Sequence, residues 1–241
     1  RMVSQAKGQY ILLLNNDAEL FPDALQKLYD YARNQDTPVI LGLPQYNAAS
    51  RDLIDRGAML DPFLNYLVNF EHEEVGMVCG ACLWIPKNLW DDIRGFPEFF
   101  HTLAEDMYLC CRARLRGCSI KVLKYSGFKH WVGATLGGGK ISSEQRLSTS
   151  FRRRSLTERN KCFAMAICYP FPIFQIVFPI HLMLLIVEGA VLSLIKRNPM
   201  FLKQIYIPAI RELWHQRDLI FSLRRKVQAE RRIPIKKFFS A

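Results

Sequence analysis

Tyr10 to Leu14, Tyr-Ile-Leu-Leu-Leu, is a continuous apolar run that stops abruptly at Asn15, Asn16 and Asp17. Preceded by Gly8 and closed by three polar residues, the run over 9–14 predicts a strand buried on both faces. Such strands belong to sheets covered by helices on both sides. The following segments agree. Pro22 and helically spaced Ala24, Leu25, Leu28, Tyr31 and Ala32 predict a helix over 21–34. Residues 39–43 predict a second strand, 44–74 a loop-rich stretch with weak hairpin character, and 75–85 a strand ended by Pro86. A short helix over 89–93, stopped by Gly95 and Pro97, precedes a helix over 104–116 with Gly117 at its end. A strand over 119–123 follows, and then a glycine-rich loop over 130–140. Strand–helix–strand, repeated, gives an α/β class: a mixed, Rossmann-like sheet flanked by helices.

Charge divides the chain. Residues 1–139 carry 14 basic and 16 acidic residues, residues 140–161 come to +5, and 162–195 hold a single charge, Glu188. Residues 196–241 carry 12 basic and 3 acidic residues, a net of +9. A near-neutral front joined to an apolar belt with basic flanks argues against a nucleic-acid binder and for a back end facing anionic lipid. Residues 173–195 are long enough to span a bilayer. Pro179 interrupts them, Gln175, His181 and Glu188 stud them, and basic clusters lie on both sides, at 152–161 and at 196–197. Spanning and in-plane readings both stand; the symmetric flanks favour an in-plane helix. Residues 209–232 predict a basic amphipathic helix. The division expected is 1–160, 161–197 and 198–241. Seven cysteines scattered through apolar stretches read as reduced thiols of a cytoplasmic protein.

Four stretches can carry chemistry. Asn15, Asn16 and Asp17 sit at a strand's carboxyl end, where α/β sheets bind ligands, and suit a divalent metal and sugar or ribose hydroxyls. A turn with a helix N-cap explains the same residues equally well. Glu105 and Asp106 open a helix whose dipole favours their charged forms, so one is a candidate general base. Arg112, Arg114 and Arg116 are spread around that helix by their spacing, and most of them are expected to be solvated. His130 is a candidate metal ligand beside Asp17. The loop after it ends in Gly139-Lys140-Ile141, which fails the phosphate-loop pattern, and reads as a lid. Cys79 and Cys82, taken as part of one strand, point to opposite faces, which argues against zinc or redox chemistry.

Taken in order, "AKGQYILLLNNDAELFPDAL", "VCGACLWIPKNLWDDIRGFPEFFHTLAEDMYLCCRARLRG", "KHWVGAT" and "RRRSLTERNKCFAMAICYPFP" resemble the family 2 glycosyltransferases, in particular a rhamnosyltransferase-like subgroup of envelope polysaccharide synthesis. The resemblance runs from residue 1 to about residue 170. It implies a GT-A fold and a metal-dependent, inverting transfer from a nucleotide-sugar donor to a lipid-linked saccharide acceptor. Asp17 matches the metal-binding Asp of an Asp-x-Asp-type motif, with Asn15 at its first position and Asn16 between. Asp106 matches the catalytic base, Glu105 its partner near the acceptor, and His130 the histidine that completes the metal site. Gly80 and Ala81 match the strand lining the donor sugar; Arg112 and Trp131 are expected at the acceptor. Mg²⁺ or Mn²⁺ is the implied metal. The implied place is the cytoplasmic face of the cell membrane, peripheral or monotopic. Two positions depart from the pattern: Tyr108 replaces an Asp, and Gly95-Phe96-Pro97-Glu98 replaces Gly-Phe-Asp-Glu. The strands that would hold the nucleotide base are expected before Arg1, which makes this a C-terminal portion or a truncated frame. The rival class is a catalytically degenerate, membrane-attached scaffold of an assembly complex.

Overall fold

The computed structural model describes residues 2–131 and 149–239. A short helix, α1 (Met2–Gln5), leads into β1 (Tyr10–Leu14), β2 (Ala18–Leu20), α2 (Ala24–Arg33) and β3 (Val39–Gly42). Four short strands follow: β4 (Gln45–Asn47), β5 (Leu53–Asp55), β6 (Ala58–Leu60) and β7 (Tyr66–Val68). Next come β8 (Cys82–Pro86), α3 (Lys87–Ile93), α4 (Glu105–Leu115), β9 (Ser119–Val122) and β10 (Phe128–His130). The C-terminal part is helical: α5 (Phe151–Cys168), α6 (Ile173–Ile195), α7 (Ile207–His215), α8 (Arg217–Ala229) and α9 (Ile235–Phe238). The fold is a mixed α/β architecture with sheets flanked by helices.

The main sheet runs β1-β8-β3-β9. β8 is antiparallel to β1, with Tyr10 opposite Pro86 and Leu14 opposite Cys82, whereas β3 and β9 are parallel. Period-2 alternation sorts its residues. Leu41, Cys82 and Trp84 face α2, with Ala24 and Leu28 fully buried against them. Ile40, Leu83 and Ile85 face α3 and α4. α5 packs on α4 with one flank and on α6, α7 and α8 with the others. A second sheet, β2-β10-β4-β5, closes the carboxyl end of β1, and β6 pairs with β7.

Three expectations change. The strand expected over 75–85 begins only at Cys82. Before it, the chain crosses the sheet end through single bridges, Ala58 to Met77 among them, and turns at Cys79, whose carbonyl accepts from the Cys82 amide. Gly42 permits that crossing, because a Cβ there would lie 2.6 Å from Val78 Cγ1. Cys79 and Cys82 are therefore not strand neighbours. They remain free thiols, and no group of three metal-ligating side chains occurs among the described residues. Second, α5 runs unbroken through 160–161, and every residue from Glu158 to Cys168 is buried. Arg159 and Lys161 point into the body rather than forming a basic flank. Third, Arg112 is 3% exposed and ion-pairs with Glu230 at 3.0 Å, Arg116 pairs with Asp92, and Arg114 lies over the Phe238 ring. The arginines of α4 hold the C-terminal helices to the sheet domain, so solvation does not describe them. The lid expected after His130 lies, from residue 132 onward, outside the described residues.

Candidate active site

The carboxyl end of β1 makes a tight turn. Ala18 N–H donates to the Asn15 carbonyl at 3.2 Å, and Asn15 N–H donates to the Ala81 carbonyl at 3.0 Å. Asn15 and Asn16 are exposed and Asp17 is half-buried. β10 runs antiparallel to β2 with His130 opposite Ala18, and Trp131 N–H donates to the Asp17 carbonyl at 3.0 Å. This register brings His130 Nε2 to 3.2 Å from Asp17 Oδ1. The other ring nitrogen, Nδ1, lies 2.9 Å from the Gln45 side-chain amide. The Gln45 amide nitrogen donates to Nδ1, which leaves Nε2–H to donate to Asp17 Oδ1.

The Ala81 contact leads directly to the second carboxylate. Gly80 N–H donates to Asp106 Oδ2 at 2.9 Å, and Met107 N–H donates to Oδ1 at 2.8 Å. Asp106 is thus fixed at the first turn of α4 and bridged to the segment that carries Asn15. Burial raises its pKa, and the amide donors pull it partly back. Glu105 beside it is pushed up to about 7, first by burial and then by the charge of Asp106. Its Oε2 is buried with no hydrogen-bond partner among the described residues. Glu105 and Asp106 thus open α4 side by side with raised pKa values, Glu105 under the added charge of Asp106.

Other groups surround this pair that the sequence did not single out. Asp55 is buried, accepts from Gly57 N–H at 2.9 Å, and lies near His130 and the Tyr66 hydroxyl; burial raises its pKa. Tyr66 reaches Asp55 and lies in the field of Asp106, while its ring is 40% exposed. A cavity of about 10 Å³, roughly one water, is lined by Gln45, Asp55, Cys79 and Cys82 among others. Asp55 and Tyr66 were invisible because they come from three-residue strands, too short to show a period.

The approach to α4 is strained. His101, Leu103 and Ala104 all have positive φ, at 59°, 74° and 59°. Non-glycine residues hold such angles only where their surroundings enforce them. Here Asn160, fully buried on α5, enforces them. Its Nδ2 lies 2.8, 3.0 and 2.6 Å from the carbonyls of Phe100, Thr102 and Leu103, and Arg159 also donates to the Phe100 carbonyl at 2.8 Å. Of the site residues expected from the sequence, the structure gathers Asn15, Asp17, Gly80, Ala81, Glu105, Asp106, His130 and Trp131 around one sheet end. Arg112 is not among them. It is buried and paired with Glu230 across the contact between α4 and α8. Tyr108 packs on Phe100 in the core, ring centroids 4.8 Å apart, so its departure from the pattern lies away from the carboxylates.

Residues 1–94 match the family described as Glycosyl transferase family 2. No curated protein matches the chain in sequence. Among solved structures, GalNAc-T7 with UDP, GalNAc and Mn²⁺ superposes with a TM-score of 0.51 at 11% identity, over 92% of this chain. Two structures of S. aureus TarS residues 1–349, one with UDP, give TM-scores of 0.43 and 0.44 at 14% identity, over 94% of this chain and 68% and 67% of theirs. The chain spans 43% of the GalNAc-T7 structure's length.

Proposed function

We propose that this chain carries the metal and acceptor side of an inverting glycosyltransferase. The donor is a nucleotide sugar and the acceptor a hydroxyl of a lipid-linked saccharide, as in envelope polysaccharide synthesis. The observation that carries the proposal is the chain of contacts from the Asp17–His130 pair, through Asn15 and Ala81, to Gly80 and Asp106. It links the Asp17–His130 pair and the perturbed Asp106 carboxylate at one sheet end in a fold of the GT-A type, which supports reading the first as a metal site and the second as a general base. The family match over residues 1–94 covers the Asp17 half of that arrangement.

The donor pair suits Mg²⁺ or Mn²⁺. Two neighbouring ligands of an octahedral ion at about 2.1 Å lie about 3 Å apart, and Asp17 Oδ1 and His130 Nε2 are 3.2 Å apart. Gln45 sets the ring from behind. When bound, the metal would neutralise charge on the leaving diphosphate. The remaining roles belong to the chain. Asn15, Asn16 and the Gly80–Ala81 segment present polar groups to the donor, and the exposed Trp131 ring offers a face for a sugar to stack on. Asp106, held by two amides, takes the proton of the attacking hydroxyl. That oxygen bonds to the anomeric carbon while the carbon–oxygen bond to the diphosphate breaks. With Asp106 as base and the acceptor oxygen as nucleophile, the transfer is one displacement, hence inversion.

The test uses the protein at its natural length, a panel of labelled nucleotide sugars and an extract of lipid-linked saccharides. Transfer should require added Mn²⁺ or Mg²⁺ and stop with chelator. Asp17→Asn should weaken metal-dependent donor binding, whereas Asp106→Asn should keep binding and lose transfer. Metal-independent transfer, or full transfer by Asp106→Asn, overturns the assignment. Absence of both transfer and donor hydrolysis across the panel favours the scaffold.

A further inference from the structure

The most apolar helix is largely uncovered. α6 has a mean hydropathy of 2.1, yet only 22% of its most apolar window is buried. Its buried positions, Phe178, His181, Leu185 and Gly189, recur at helical spacing along one face. Along the opposite face Ile176, Ile180, Met183, Val187, Val191 and Leu194 are each 41–77% exposed. The helix is about 35 Å long, and that unbroken stripe far exceeds the scattered apolar residues ordinary on a surface.

From this surface we infer that α6 lies in the plane of an anionic lipid bilayer, its exposed stripe sunk into the headgroup–acyl boundary, and does not cross it. The covered face argues against crossing. Gly189 is pressed so closely on the turn before α7 that a Cβ there would lie 2.6 Å from Tyr206. Beside the helix runs a charged chain, Glu188 to Arg154 at 3.2 Å, Arg154 to Glu158 at 3.0 Å, and Glu158 to Lys161 at 3.3 Å. A spanning α6 would carry these charges and the α5 layer to bilayer depth. Pro179 adds to this, since it has no N–H for the Gln175 carbonyl, and both lie on the exposed side.

Charge selects lipid over a second copy of the chain. Basic groups border the stripe at both ends. Arg197 and Lys203, both exposed, flank its C-terminal end. At the other end Phe174 meets Phe221 of α8 edge to face, and the exposed Arg217 and Arg225 stand one turn to either side of Phe221. Next to them Trp214 is 67% exposed with the Arg217 guanidinium 4.7 Å over its ring. Apolar stripe, bordering cations and an amphipathic aromatic form the pattern of an interfacial helix. Two like-charged copies facing each other across this stripe would set those cations against one another.

The experiment is flotation of the natural-length protein with vesicles of phosphatidylcholine alone or with 30% phosphatidylglycerol. Binding should be strong only with the anionic vesicles, and brominated acyl chains should quench tryptophan fluorescence. Arg197→Gln with Lys203→Gln should weaken binding about 20- to 30-fold, at roughly fivefold per cation. Ile180→Asp with Val187→Asp should abolish it, with an unchanged circular dichroism spectrum as the folding control. Alkaline carbonate should release the wild-type protein from cell membranes. Resistance to carbonate means a spanning helix and overturns the inference. So does a lipid-free dimer that ignores both vesicle types and is dissociated by the double Asp variant. Asp106→Asn should float like wild type, so failure of the catalytic reading and failure of this one are told apart.

Discussion

Helices α4 and α6 invert the usual relation between composition and place. α4 carries Glu105, Asp106, Arg112 and Arg114, and eight of its residues are buried. α6 carries one charge in 23 residues and leaves most of its apolar side chains uncovered. The difference lies in partners. The charged groups on α4 are met unevenly: Asp106 by two amides, Arg112 by Glu230 through Nη2, Arg114 by an aromatic ring, while Glu105 Oε2 is buried without a partner among the described residues. Burial of charge is tolerated where most groups are met, and it costs stability where one is not. Uncovered apolar surface is tolerated where the adjoining solvent is not water. The helix that would look soluble in isolation is the one built into the core, beside the candidate chemistry. The one that would look buried faces outward.

The sharpest way to break this comparison is Asp106→Asn. The amide oxygen still accepts from Gly80, so the fold should survive while proton abstraction is lost. Transfer should fall about 10²- to 10⁴-fold, the range for a general base, with donor affinity within about twofold. Loss of donor binding as well would mean that Asp106 acts through the Gly80–Ala81 segment and not on the acceptor.

The Arg112–Glu230 pair tests whether α4 tolerates charge through its partners. The two substitutions should differ. Glu230→Ala leaves a buried guanidinium without its carboxylate and should cost about 3 kcal/mol in urea unfolding. Arg112→Met leaves Glu230, whose side chain is 30% exposed, free to hydrate, and should cost about 1 kcal/mol. Equal costs would mean that the contact matters through packing alone.

Asn160 ties the two regions together, because α5 lies between α4 and α6. Asn160→Ala removes the donor to the carbonyls of Phe100, Thr102 and Leu103, three groups in a segment held at positive φ. About 2 kcal/mol of stability should go. The acid limb of the pH–rate profile should also move, since the strained segment sets where Glu105 and Asp106 sit. Lost stability with an unmoved profile would make Asn160 purely structural.

What could be read beforehand follows the range of the interactions. β1, α2, β3, α4 and β9 are local patterns of apolar spacing and punctuation, and they lie close to the expected positions. Asn15 and Asp17 drew notice because they end an apolar run, Glu105 and Asp106 because they open a helix, and His130 because it follows a strand end ahead of glycines. The clamp from Asn160 did not, because its three carbonyls lie 57 to 60 residues away and its neighbours Arg159 and Lys161 imitate a basic flank. The break in the strand before Cys82 was hidden for a similar reason. The apolar run is continuous, and only packing against Gly42 and Ala58 shows that the chain crosses the sheet end there. Arg112 was misplaced because helical spacing sorts side chains around an axis and says nothing of which sides are covered.

The smallest effect is the most direct check on α4 as a place where charge is held at a cost. Glu105 ordinarily titrates near 4.5 and is pushed up to about 7 here. Between those values the folded protein binds a proton that the unfolded chain has released. The stability this group contributes is therefore full below about 4.5 and lost as pH rises through 7. Glu105→Gln removes the titration. The variant should match wild type in melting temperature at pH 4.5 and exceed it by about 5 °C at pH 8, corresponding to about 2 kcal/mol. A variant less stable than wild type at pH 8 would show that ionised Glu105 has a partner in the folded protein. The buried Oε2 would then be satisfied, and the candidate base would have to be sought without it.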